Sequence, residues 1–304
     1  MDAVIRAEGL TKVFGKTRAL SSLSLEVAAG EVFGCLGPNG AGKTTTIRLL
    51  LGMIGASSGR AEIFGVDCQR HPVLAHRRVA YVPGEASLWP SLTGAETLDL
   101  LGRIQGRAEP RYRDVLIERF QLDPSKRVRA YSKGNRQKVL LIAGLMSRAG
   151  LLLLDEPTSG LDPLMEQAFR LSIAEARANG QTVFLSSHIL SEVEALCDRV
   201  AILRAGHLVE TGTLAEMRHL SALSVEAEFG TAPPDLSGVA GVTITGAAGN
   251  RVLCQVTGPV RPLLAALAGS DVRRLTAREP SLEELFLAHY GADTTAVAEA
   301  SDAA

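Results

Sequence analysis

The stretch GCLGPNGAGKTTT, residues 34–46, restricts the possible folds more than any other part of the chain. It holds the pattern Gly37-xxxx-Gly42-Lys43-Thr44. An apolar run that reads as a buried strand (EVFGCLG, 31–37) precedes it, and an amphipathic run that reads as a helix from Lys43 to Met53 follows. A glycine-rich loop between strand and helix presents backbone N–H groups to phosphate oxygens, and the helix start favours their negative charge. The loop residues Gly37, Pro38, Asn39, Gly40, Ala41, Gly42, Lys43, Thr44 and Thr45 are therefore expected to cradle a phosphate chain. Lys43 would neutralise β/γ oxygens, and Thr44 would offer its hydroxyl to Mg²⁺.

A second stretch, LLLLDEPTSGLDP (151–163), ends a buried strand in two adjacent carboxylates. In a mainly parallel sheet, ligands bind at the carboxyl ends of the strands, where Asp155 and Glu156 fall. Asp155 is expected to hold the magnesium through water, and Glu156 to polarise an attacking water. A helix follows from Pro163 to Ala178, with Leu164, Ala168, Leu171 and Ala178 expected to face inward. Next come the stop Asn179-Gly180 and a further strand, QTVFLSS. Strand, helix, strand at this spacing implies an α/β domain with a mainly parallel sheet. Residues 85–148 lack clear strands and read as a helical insertion.

Within that insertion, YSKGNRQKV (131–139) opens a helix. Ser132 is a good N-cap, Gly134 permits close approach, and Val139, Ile142, Ala143 and Met146 supply the apolar face. Such a helix start suits an anion.

These motifs, in this order, resemble the ATP-binding subunits of ATP-binding-cassette (ABC) transporters over roughly residues 3–220. LDEPTSGLD matches that family's Walker B motif and D-loop, which includes Asp162. YSKGNRQKV stands where the family carries Leu-Ser-Gly-Gly-Gln, and SSH supplies a switch histidine, His188. LTKVFGKTRAL resembles the loop whose aromatic, here Phe14, stacks on adenine, although an aromatic there can also be a core residue. The resemblance implies a P-loop cassette that binds ATP and Mg²⁺ and hydrolyses ATP with Lys43, Glu156 and His188. It also implies that Ser132 and Gly134 complete the site of a partner cassette in a homodimer or heterodimer.

Two departures stand out. The signature has Lys133 for its first glycine and Asn135 for its glutamine. In YVPGEASLWP, where the family carries a metal-reaching glutamine, Gly84 is followed by Glu85. Either Glu85 takes that metal contact, or the coupling to the permease runs differently and Glu85 is a solvated loop acid.

Composition narrows the partners. A chain of 304 residues with net charge −1 lacks the clustered basic face that nucleic acid requires. The longest apolar region, between Lys138 and Asp155, includes Arg148 and Gly150, and falls short of the ~20 clean residues of a membrane helix. MDAVIRAEGL has no apolar core of signal-peptide length, and the four cysteines are scattered, as in a reducing compartment. A cytoplasmic protein, peripheral on the membrane and driving a separately encoded permease, is the expectation.

After Ser221 the pattern changes to short strands (LSVEAEFG, GVTITG, RVLCQVTG), a helix (VRPLLAALAG), a strand (DVRRLTAR) and a capped helix (SLEELFLAHY, with Ser281 and Glu284 in capping-box spacing). This reads as a small α+β domain over 221–290, with 291–304 as a disordered tail. TAREPSLEELFLAHYGA resembles the appended domain of ATPases serving drug-resistance and polysaccharide exporters, which implies export of drugs or other hydrophobic compounds. A soluble ABC ATPase acting on DNA or ribosomes is the alternative. Against a GTPase or kinase of the phosphate-loop class, the sequence has no Asn-Lys-x-Asp guanine motif, and the signature helix has no role there.

Overall fold

The structure, a computed structural model, describes residues 3–85, 87–106, 109–219 and 223–278. Its strands are β1 (Ala3–Phe14), β2 (Thr17–Ala28), β3 (Val32–Leu36), β4 (Ser58–Ile63), β5 (Val66–Asp67), β6 (Val79–Val82), β7 (Leu151–Asp155), β8 (Thr182–Ser187), β9 (Arg199–Arg204), β10 (His207–Thr213), β11 (Leu223–Phe229), β12 (Val242–Ala248), β13 (Arg251–Val256) and β14 (Val272–Arg278). Its helices are α1 (Lys43–Leu50), α2 (Pro72–Ala75), α3 (Gly94–Gln105), α4 (Pro110–Arg119), α5 (Lys133–Met146), α6 (Pro163–Ala178), α7 (Leu190–Leu196), α8 (Leu214–His219) and α9 (Arg261–Leu267). Two compact units divide the chain, Met1–Gly212 and Thr213–Ala304.

The first unit is built on a six-stranded sheet in the order β10-β9-β3-β8-β7-β6. Its central pairs β3–β8, β3–β9, β7–β8 and β6–β7 are all parallel. β3, β7 and β8 are buried along their whole length, as a parallel strand covered on both faces must be. Phe33 of β3 and Phe184 of β8 stack at 5.8 Å between ring centroids.

A second sheet, β2-β1-β4-β5, is antiparallel throughout and was not anticipated from the sequence. Its signal is there: β1 and β2 alternate in burial, and a two-residue turn at Gly15-Lys16 joins them. One core joins the two sheets and α1 through Ile5, Leu10, Leu23, Ile47, Leu50, Leu153 and Phe184. α1 is therefore packed on both sides, which fixes the loop that precedes it.

Three helices, α3, α4 and α5, fill the stretch between β6 and β7. Thr93 and Glu96 close a capping box at the start of α3. Every residue of α5 from Gln137 to Met146 is buried, so this helix runs through the interior.

Two expectations need correction. α1 ends at Leu50, short of Met53, because the chain leaves the helix at Leu51 and turns left-handed at Gly52 (φ 58°). On α6, Leu164, Leu171 and Ala178 face outward, the leucines 67% and 59% exposed, while Ala168 is buried as expected, in a stripe with Met165, Phe169, Ile173 and Ala176. That stripe carries the bulkier apolar surface and docks on the sheet; the leucines lie on the other side.

In the second unit the sheet runs β12-β13-β11-β14, all antiparallel. Val225, Phe229, Cys254 and Leu263 are among its buried core residues. The expected helix at 281–290 and the tail 291–304 lie outside the described residues. Among the described residues, no helix is long and apolar enough to cross a membrane.

Candidate active site

The phosphate loop leaves β3 at Leu36 and enters α1 through Gly42, whose φ of 109° is open to glycine and strained for any other residue. There a Cβ would also stand 2.9 Å from the carbonyl oxygen of Ala19, so the loop is pressed against the antiparallel sheet. Gly37 donates its N–H to the Ser187 carbonyl at 3.3 Å, which ties the loop to the end of β8.

Lys43 is 5% exposed and its ammonium is fully engaged. It donates to the carbonyls of Gly37 (2.6 Å) and Pro38 (3.1 Å) and pairs with Glu156 Oε1 at 3.1 Å. The second oxygen of Glu156 lies 2.6 Å from His188 Nδ1. Two basic side chains, from α1 and from the turn after β8, thus converge on one carboxylate. Glu156 itself sits at φ 48°, a left-handed conformation rare for a non-glycine residue. Its N–H is held by the Ser186 hydroxyl (3.0 Å) and the Ser186 carbonyl (3.2 Å).

Asp155 is buried at the end of β7. One oxygen, Oδ1, accepts from Ser186 Oγ at 2.6 Å and from Thr44 Oγ1 at 3.1 Å. A carboxylate and a hydroxyl side by side, braced by a third residue, suit a hard cation. Among the described residues no cluster of three or more His, Cys, Asp or Glu could hold a metal. Mg²⁺ does not need one, since it binds through one or two protein oxygens together with phosphate and water.

Thr44, Asp155, Glu156 and His188 line a cleft of about 780 Å³ that also includes Asn39, Arg48, Tyr81, Gly84, Glu85, Lys133 and Ser159. Glu85 is exposed on its wall. Burial, and then the Asp155 carboxylate, push the Tyr81 phenol up to about 12, so it faces the cleft as a donor. Arg48, one helical turn beyond Thr44, adds a cation. Tyr81, Arg48 and Ser186 were not singled out from the sequence. Arg48 could have been, by its i+4 spacing from Thr44; a strand tyrosine or serine carries no such mark.

The remaining candidates are not among the residues that line this cleft. Phe14 ends β1 and is 48% exposed, with Lys12 Nζ 4.9 Å from its ring centroid, so the core alternative does not apply. Ser132 caps α5, accepting the Asn135 N–H at 3.2 Å. Asp162 caps α6 by accepting the Met165 N–H at 3.0 Å. At Gly134 an added Cβ would lie 2.5 Å from the carbonyl oxygen of Gly160, so the start of α5 rests on the loop after β7. Lys133 crosses the same glycine and donates to Ser159 Oγ at 3.0 Å.

Residues 20–159 match the ABC transporter family. The daunorubicin resistance ATP-binding protein DrrA3 of Streptomyces coeruleorubidus is 34% identical over 315 residues, covering 99% of this chain and 99% of that protein. The daunorubicin/doxorubicin resistance ATP-binding protein DrrA of Streptomyces peucetius is also 34% identical, covering 98% and 96%. The bacitracin transport ATP-binding protein BcrA of Bacillus licheniformis is 38% identical over 69% of this chain and 70% of its own. Among solved structures, an ATP-binding subunit of an ABC transporter superposes with TM-score 0.67 at 32% identity, over 71% of this chain and 92% of that one. A dimeric cassette in a post-hydrolysis state with ADP and Pi shares the fold, with TM-score 0.61 at 21% identity over 69% of this chain and 98% of that one. With relatives aligned from end to end and the cassette fold held in common, the chain belongs to the ATP-hydrolysing, ATP-binding subunits of ABC transporters.

Proposed function

We propose that this ATPase is the energy-coupling subunit of an exporter for drugs or other hydrophobic compounds. It would work as a dimer at the cytoplasmic face of the membrane and drive a separately encoded permease. The observation that carries this reading is the end-to-end match to two daunorubicin resistance ATP-binding proteins. None of the relatives named above is described as acting on DNA or ribosomes.

The geometry supports a specific hydrolytic arrangement. The phosphate loop and Lys43 receive the β- and γ-phosphates. Thr44 directly, and Asp155 through water, would hold Mg²⁺, with Glu85 on the cleft wall as the candidate third oxygen. Bound there, Mg²⁺ would draw charge from the phosphate oxygens. Lys43 and His188 both pair with Glu156. A γ-phosphate arriving between them competes for the same two side chains, and Glu156 is then released to orient the attacking water. The substrate itself would thus free the base. Phe14, on its exposed hairpin, stacks on adenine, and the α5 start at Ser132 and Gly134, with the D-loop around Asp162, faces the nucleotide of the partner cassette.

The test is resistance in a drug-sensitive host that expresses this chain together with a separately encoded permease. Wild type should confer resistance and ATP-dependent efflux, and Glu156→Gln should lose both, with hydrolysis slowed by at least about tenfold. Resistance that survives Glu156→Gln would reject the coupling role.

A further inference from the structure

Behind the switch histidine lies a buried acid that the hydrolytic arrangement does not use. Glu192, on α7, is 5% exposed. Its Oε2 accepts the Ser187 hydroxyl at 2.5 Å, and its Oε1 has no hydrogen-bond partner. Thr158, from the loop after β7, also faces the carboxyl. Beside it is a cavity of about 20 Å³ lined in part by Glu166, Phe169 and Arg170 of α6, and Arg170 is paired with Glu166 at 3.9 Å. Burying a carboxyl is costly unless its oxygens are hydrogen-bonded, and Oε1 of Glu192 is not.

The contact with Ser187 is informative. Ser187 immediately precedes His188. The Ser187 hydroxyl, besides donating to Glu192, accepts the Ile189 N–H at 3.0 Å. The Ser187 carbonyl accepts the Gly37 N–H of the phosphate loop. The peptides on both sides of His188 are therefore fixed through one serine, and Glu192 fixes that serine. His188 in turn holds Glu156 at 2.6 Å.

We propose that Glu192 is a positioning residue for ATP hydrolysis: through Ser187 it sets where His188 stands against Glu156 and the phosphate loop. This rests on the roles given above to Glu156 and His188. Small displacements of reacting groups cost rate far more than they cost binding. The signature of Glu192 is accordingly a loss of turnover with nucleotide affinity intact.

Three variants of the full chain test this: Glu192→Ala, Glu192→Gln and Ser187→Ala. Glu192→Ala should lower kcat roughly tenfold while KM for ATP stays within about twofold. Glu192→Gln keeps an acceptor for Ser187 and should recover most of the rate. Ser187→Ala should cost about as much as Glu192→Ala, and combining the two should cost little more, because both break the same link. Losses that add in full, a change confined to KM, or unchanged kcat in Ser187→Ala would overturn the proposal. Should Glu192→Ala not fold, the Gln and Ser187 variants still decide: a Glu192→Gln protein as slow as Ser187→Ala rejects it. Glu156→Gln run alongside separates the two readings. If it hydrolyses ATP normally, the assignment of the base fails; if it is inactive while Glu192→Ala is normal, only the present proposal fails.

Discussion

At residue scale the exposed ring of Phe14 offers a clean measurement. It is half exposed at a hairpin end and contributes little to the core, so Phe14→Ala should leave the melting temperature nearly unchanged. If it stacks on adenine, ATP binding should weaken by about 1–3 kcal/mol while saturated turnover stays intact. A titration calorimeter reads this directly, and equal affinity would remove Phe14 from the nucleotide site. Glu192 gives a second measurement, through pH. Burial, reinforced by Glu156 and Glu166, pushes its carboxyl above the ordinary glutamate value, while the other charged group at its cavity, Arg170, is paired with Glu166. The folded protein therefore holds this proton more tightly than the unfolded chain does. As pH rises from the ordinary glutamate range through the raised folded value, stability is lost, and above that window the loss is complete. Glu192→Gln has no proton to lose. Its melting temperature relative to wild type should climb with pH across the window and then level off. A difference that ignores pH would mean that the carboxyl titrates normally.

At element scale the readable parts were those whose chemistry is local. The phosphate loop needs glycines and Lys43 at fixed spacing beside a strand and a helix, and Asp155-Glu156 needs only the end of an apolar strand; both were visible in one dimension. Contacts that depend on the third dimension were not. α6 carries apolar residues on both sides, so periodicity could not tell Leu164 and Leu171 from Met165, Phe169 and Ile173. Ser186 and Glu192 have ordinary neighbours in the sequence and gain their meaning only when β8 meets β7 and α7 folds back. Gly134 is a mixed case: the sequence marked it as a place of close approach, and what approaches is Gly160 of the same chain. Gly134→Ala should therefore displace the loop after β7 or the start of α5, costing about 1–3 kcal/mol in stability by overpacking. Thermal unfolding of the full chain checks this; a variant as stable as wild type would mean that the two backbones are free to separate.

At the scale of the whole molecule the question is whether two copies share their sites. Because Gly134 already has a packing role within the chain, a lesion there would confuse two effects. Ser132→Asp is cleaner, since aspartate caps a helix as well as serine does yet sets a carboxylate where a phosphate would lie. Mixed with Lys43→Ala, it should restore activity if the signature of one copy completes the phosphate loop of the other. Random pairing gives about half mixed dimers, each with one intact site of two, so recovery should approach roughly a quarter of the wild-type rate. No recovery, with wild-type specific activity unchanged on dilution to monomer, would reject shared sites.

The meeting of Gly134 with Gly160 also bears on how such a protein can change over generations. A contact between side chains can be retuned by degrees, a methyl group at a time. A contact between two backbones has no such scale: every substitution available at position 134 adds atoms where an oxygen already stands. Variation there begins with a displaced backbone, whatever the side chain. Any graded adjustment between these two loops must be made beside the contact, and the nearest place is Lys133, whose stem lies across Gly160 and whose length and charge can vary.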